Sequence, residues 1–285
     1  MRSAVLIVLC ACNPVFGLSP TTEEPAIDAQ YFDAAPDAPF ACWAPHAPVP
    51  SFSTTLHQVV QSDQCSEYTI ADGWATATCY DAGTHVSAIY DGVVDAPLTE
   101  VAAFAPTPQR SLQRPRQAPE GGLVFLKQVP STGAPSIVGY RRTGQTWNPA
   151  LTVTPTIGMF ESFGTPSAGP IRRMMIVSGS VGVMREVAID QSGTMTEVRV
   201  YDSTNFPFNG MPQPPNLSAD GLRMIVYGGI NNSYAMYVMD RETLDQPFQH
   251  RSLEIPTVYD AFMTNDCGRI YFADVLGALF FVQRR

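Results

Sequence analysis

Few side chains in this sequence stand where catalysis would need them. The four histidines, His46, His57, His85 and His250, are scattered, with no HExxH or CxxC element to make them metal ligands. There is no GxSxG nucleophile, Walker loop or dinucleotide fingerprint either. The expectation is therefore no catalytic residue, no metal and no cofactor. Aspartates recur, Asp72, Asp220 and Asp266 in one set of turns and Asp91, Asp190 and Asp240 in another. Asp stabilises such turns by bonding its own backbone, so these are read as structural. A different group has the composition of a recognition surface, which favours arginine and aromatics. It comprises Tyr80, Asp81 and His85, then Arg110, Arg114 and Arg116, then Phe206 and Phe208, then Asn231 and Asn232. The same residues would equally suit solvated loops.

What positions them is a repeat. Glycines end a turn at Gly73, Gly121, Gly169, Gly221 and Gly268, at steps of 48, 48, 52 and 47 residues. Apolar strands follow at 74–80, 123–126, 174–177, 222–227 and 270–273, and second strands at 86–90, 136–140, 187–189, 234–239 and 278–282. After a polar turn, a weaker strand closes four units, at 98–104, 150–154, 196–201 and 249–255. With the residues ahead of each turn, that makes four strands per unit in the first four units and three in the fifth. Units of 40–50 residues with four strands are β-propeller blades. The inner strands are almost continuously apolar, as strands covered on both faces are, and the outer ones alternate.

Residues 217–240 read as a Ser-x-Asp-Gly turn, an apolar strand, and a second apolar strand ending in Asp. In this they resemble the WD-like repeats of TolB-type propellers; 265–282 and 68–91 match in part, and the two middle units by spacing. The resemblance spans 52–285 and implies a fold, not an activity. The fold expected is all-β, a five-bladed propeller over residues 51–285. The fifth unit stops after its third strand, so the strand-like run 51–60 is expected to pair with 278–282 and leave no open blade edge.

Four cysteines, Cys42, Cys65, Cys79 and Cys267, lie beyond the N-terminal pair Cys10 and Cys12. Cys65 and Cys79 flank one turn symmetrically, and Cys42 precedes the closing strand that would start near the turn holding Cys267. The expected disulfides are Cys65–Cys79 and Cys42–Cys267; the other reading is buried thiols.

The N-terminus reads as an address. Met1-Arg2 and the apolar run 4–9 outline a secretory signal, short enough to leave room for an upstream start codon. Leu9-Cys10-Ala11-Cys12 resembles a bacterial lipobox. That implies cleavage after residue 11 and acylation of Cys12 with palmitate-like chains, the other reading being an ordinary signal peptide. Residues 12–50, rich in Pro, Ala and acids, read as a tether too polar to fold alone. No apolar run is long enough for a transmembrane helix, and a net charge of −9 opposes nucleic-acid binding. Lys127 is the lone lysine.

Two functions follow as expectations, beside a blander third, a structural surface protein with no specific ligand. One is a monomeric, lipid-anchored envelope scaffold, at the outer membrane, which binds a protein or glycan through its loop face. The alternative is a glycan-active enzyme, since some five-bladed propellers are glycosidases. Its candidate acids are Asp63, Glu67, Glu161 and Asp260, and hydrolysis would need two carboxylates about 5–9.5 Å apart.

Overall fold

A computed structural model describes residues 42–53, 56–60, 65–81, 86–94, 96–153, 157, 159–178, 183–202, 205–206, 214–230, 233–256, 259–273 and 278–284. Their strands form five four-stranded antiparallel sheets, the blades of a ring. Blade 1 holds β2 (Cys65–Ala71), β3 (Trp74–Asp81), β4 (Val86–Val93) and β5 (Thr99–Glu100). Blade 2 holds β6 (Arg110–Gln117), β7 (Leu123–Pro130), β8 (Ser136–Thr143) and β9 (Thr146–Val153). Blade 3 holds β10 (Ser162–Phe163), β11 (Arg172–Ser178), β12 (Val183–Ile189) and β13 (Met195–Tyr201). Blade 4 holds β14 (Asn216–Leu217), β15 (Arg223–Ile230), β16 (Ser233–Asp240) and β17 (Gln249–Pro256). Blade 5 holds β18 (Tyr259–Met263), β19 (Arg269–Ala273), β20 (Leu279–Gln283) and, out of chain order, β1 (His57–Val60). This is the expected five-bladed propeller.

The turn aspartates work as expected, with an addition. Asp220 Oδ1 accepts the Leu222 N–H at 2.9 Å, Asp266 Oδ1 that of Gly268 at 2.8 Å, and Asp190 Oδ1 those of Ser192 and Thr194. Asp72 and Gly73 both take left-handed φ, 53° and 65°, which a two-residue hairpin of this twist demands. Asp91 and Asp240 instead join separate parts: Asp91 accepts the indole N–H of Trp147 from blade 2, and Asp240 receives the N-terminal segment.

Each inner strand is apolar on both sides because each side meets a different blade. On β11, Met174 and Ile176 pack toward blade 2, while Met175 and Val177 pack toward blade 4. On β7, Leu123 and Phe125 face blade 3, and Val124 and Leu126 face blade 1. The buried apolar residues thus fall into clusters between neighbouring blades all round the ring. Burying each large side chain contributes about 1.5–3 kcal/mol. The same drive shortens the first outer strand. Instead of running from 98 to 104, β5 ends at Glu100, and a 3-10 turn (Ala102–Phe104) sends the Phe104 ring into the core, edge-on to Tyr140 at 4.8 Å. Near the axis, Gly164 lies so close to blade 4 that a Cβ would sit 1.6 Å from the Pro215 carbonyl oxygen.

Between blades 3 and 4 an ion pair is fully buried. Glu186 on β12 lies 2.8 Å from Arg241, and neither side chain is exposed. Arg241 also donates to the Gly221 carbonyl and stacks on Phe248, while the Tyr201 hydroxyl donates to Glu186. Burial, then the Glu186 charge, pushes the Tyr201 phenol above its ordinary pKa.

The ring closes as expected. β1 pairs antiparallel with β20, His57 opposite Phe281, and Phe52 bridges to Arg284. The segment ahead of it, assigned above to the tether, is packed from Cys42 onward. Trp43 is buried among Ile225, Met236, Ile270 and Val282, and the His46 N–H donates to Asp240 Oδ2 at 2.9 Å. Both expected disulfides are present, Cys42–Cys267 and Cys65–Cys79, the second directly across the β2–β3 pair. The first closes a sequence separation of 225 residues. In the chain-entropy account so long a loop contributes about 5 kcal/mol, before any native-state strain is subtracted. Residues 1–41, with Cys12 and the leader, lie outside the described residues.

Candidate functional site

The first strand of each blade lines the central channel. Three of them, β2, β6 and β18, break register at one equivalent place: between Ser66 and Thr69, Gln113 and Arg116, Tyr259 and Phe262. Such a bulge inserts an extra residue and re-aims a side chain. The residue after the first break position is ionisable every time: Glu67, Arg114 and Asp260. Glu67 and Arg114 take left-handed φ of 55° and 56°. For residues with a Cβ this costs about 1–2 kcal/mol each. The next residue explains why the surroundings tolerate it. Tyr68 drives its ring between blades 1 and 5, and Pro115 is buried with no N–H to leave unpaired.

The two bulges point their charges at each other. Arg114 Nη1 lies 3.3 Å from Glu67 Oε1, with the side chains 32% and 23% exposed. The other Glu67 oxygen accepts the Thr78 hydroxyl at 2.9 Å. Beside them, Lys127 Nζ donates to the Glu161 carbonyl at 2.7 Å and sits 5.4 Å from the centre of the Phe160 ring. Burial, and next the Arg114 cation, lower the Lys127 pKa from 10.5, while the Glu161 and Glu67 carboxylates pull it back. Toward the rim, Arg110 donates to Gln128 at 3.1 Å. Two cations on blade 2 are thus flanked by Glu67 of blade 1 and by Glu161 ahead of β10. Such a patch can receive an anionic group and hydroxyls together. Among the described residues no cluster of His, Cys, Asp or Glu could hold a metal.

The structure gathers only part of the expected recognition group here. Arg114 is central, Arg110 lies on the same strand nearer the rim, and Tyr80 stands one residue before the end of β3 with 44% of its surface exposed. Asp81 closes β3 opposite Val86. Arg116 is not a surface residue: it is buried, its guanidinium donating to the Phe163 and Pro115 carbonyls, so it ties blade 2 to blade 3. Asn216 does the same for blade 4, donating to the Ala261 carbonyl of blade 5. Phe206 is buried as well, edge-on to Tyr201 at 5.2 Å, because an aromatic ring gains more in that core than on a loop. His85, Phe208, Asn231 and Asn232 lie outside the described residues, as does Asp63. Of the other candidate acids, Glu67 is ion-paired, Glu161 is exposed just before β10, and Asp260 stands at the β18 bulge. Lys127, noted in the sequence only for being alone, is a candidate group that residue motifs passed over.

No family model matches this sequence, and no curated protein matches it. Among solved structures, an α-L-arabinofuranosidase from Podospora anserina in complex with cellotriose superposes with a TM-score of 0.50 at 8% identity, over 78% of this chain and 91% of that one. TolB from Acinetobacter baumannii gives 0.47 at 13% identity, over 78% of this chain and 54% of that one. A glycosyl hydrolase from Bacteroides ovatus gives 0.48 at 11% identity, over 78% and 84%. The chain therefore spans about half the length of the TolB protein. At these identities the likeness is one of fold.

Proposed function

We propose that this chain is a lipid-anchored β-propeller of the bacterial cell envelope that binds a protein or glycan partner at the mouth of its channel. The observation that carries the reading is the Glu67–Arg114 pair, held on two strained bulges beside Lys127. Strain in half-exposed charged residues is rarely kept for stability alone, and it clusters where ligands are held. Anchoring would come from Cys12, after removal of residues 1–11, with 12–41 as the tether of a monomer at the outer membrane. The packed segment supports this arrangement. Cys42 and His46 are held at Cys267, in a first-to-second-strand turn, and at Asp240, where a third strand ends. Strand order puts both on the ring face opposite the second-to-third-strand loops. The tether would leave from that side, and the mouth bearing Tyr80 and Arg110 would point away from the bilayer.

The test is capture from envelope extract by the detergent-solubilised full chain. A partner retained by wild type and lost in Arg114→Gln and Tyr80→Ala supports the reading; retention unchanged in both variants, or none by wild type, removes it.

A glycan-active enzyme is the second reading, because Glu67, paired with Arg114, and Glu161, whose carbonyl accepts Lys127 Nζ, flank blade 2 on its two sides. Release of sugar from an envelope polysaccharide, abolished by Glu67→Gln, would establish it.

A further inference from the structure

The channel site has a chemistry narrower than "a partner", and resting on the recognition reading above, the geometry points to its class. We propose that Arg114 and Lys127 together receive the carboxylate of an acidic sugar residue, while Glu67 and Glu161 accept hydroxyls of the same or the adjoining sugar. The guanidinium carries five N–H donors and the ammonium three, and their contacts to Glu67 Oε1 and the Glu161 carbonyl engage one edge of each. A half-buried ammonium next to a second cation is an incomplete arrangement: burial and Arg114 both disfavour its charge. A ligand anion set between the two cations completes it. The carboxylates decide what accompanies that anion. An acidic peptide would bring carboxylates but no hydroxyl donors for Glu67 and Glu161, whereas each uronic-acid ring offers hydroxyl donors beside its acid group. A neutral sugar would satisfy the acceptors and leave the cations unmet. Tyr80, exposed near the end of β3, adds an aromatic face of the kind against which a sugar ring packs.

Lys127 provides its own reporter, because it is the lone lysine of the chain. Biosynthetic labelling with lysine ¹³C-enriched at Cε places one side-chain label on the full-length protein without altering its donors, and its resonance and titration are followed on adding galacturonate, its trisaccharide, the methyl-esterified trisaccharide, or triglutamate. The expected result is a saturable shift with the acid trisaccharide, a rise in the Lys127 pKa, and at least tenfold weaker binding of the ester. Arg114→Gln and Glu67→Gln are each expected to lower affinity at least tenfold with unchanged thermal unfolding. Binding of free galacturonate as tightly as the trisaccharide would assign a single-sugar site within the same proposal. An ester that binds as well as the acid, triglutamate that binds more tightly, or no shift with any probe overturns it. Capture of an Arg114-dependent partner from envelope extract would still stand in those cases, so the recognition reading and the acidic-sugar assignment fail separately.

Discussion

Glu67 and Arg114 meet at 3.3 Å although they belong to different blades, because each occupies the same bulged position of its channel strand. Both pay for that position in backbone conformation, with φ of 55° and 56°. Replacing Arg114 by glycine relieves the left-handed strain and removes an ion pair that, at this exposure, contributes at most about 1 kcal/mol. Arg114→Gly is therefore expected to unfold at the wild-type temperature or slightly above it, while losing ligand capture. Thermal unfolding alongside a binding assay separates the two; a fall in stability of several kcal/mol would show that the bulge is part of the folding core.

The Lys127 amine should leave a mark on stability at alkaline pH. Its folded pKa lies below 10.5, so the folded state sheds a proton that the unfolded state still holds. Stability then rises with pH through the window between the lowered value and about 10.5, and the penalty on the charged form is complete below that window. Denaturant unfolding of wild type and Lys127→Met at several pH values across that window should show a steeper rise for wild type. Parallel curves would mean that the amine is no less hydrated in the fold.

Breaking the Glu186–Arg241 pair should be among the costliest single changes. Neither group is exposed, so Glu186→Leu alone strands a buried cation, at about 3–5 kcal/mol. Glu186→Leu combined with Arg241→Met should recover much of that loss, though the Gly221 carbonyl loses its donor. Urea midpoints for the single and double variants measure the coupling, and strictly additive losses would contradict it.

Removing the Cys42–Cys267 bond, by Cys42→Ser with Cys267→Ser, should lower stability by up to about 5 kcal/mol. The Cys65–Cys79 bond closes a separation of only 14 residues, so Cys65→Ser with Cys79→Ser should cost less, about 3 kcal/mol. Reversible unfolding under non-reducing conditions ranks the two; the reverse order would place the first bond under strain.

Much of this fold is legible because repeated turns announce it. Gly73, Gly121 and Gly221 take positive φ in the turns where their spacing put them, and the cysteine pairings follow once the blades are in place. The site is less legible, for a physical reason. Arg116 and Phe206 have the right chemistry for a surface, yet a carbonyl on the next blade and a neighbouring ring claim them. Burial of that kind depends on which blade lies alongside, which residue type does not reveal. Glu67 and Asp260 are legible as acids of channel strands, and Arg114 only as a charged residue of a connection between blades; that a bulge sets all three at one level depends on register, since a one-residue slip turns a side chain to the opposite face.

The pairing of β1 with β20 also dictates an order of events. Synthesis and export alike deliver β1 before every other described strand of the ring and β20 after them, so the opening strand waits alone while the rest of the chain arrives. Blades 1 to 4 each complete from contiguous chain and can form on the way. Blade 5 cannot, and until it does two apolar flanks stand open to chaperones, proteases or a second nascent chain. The seam of the ring is thus its final checkpoint, and quality control of this protein should act there first.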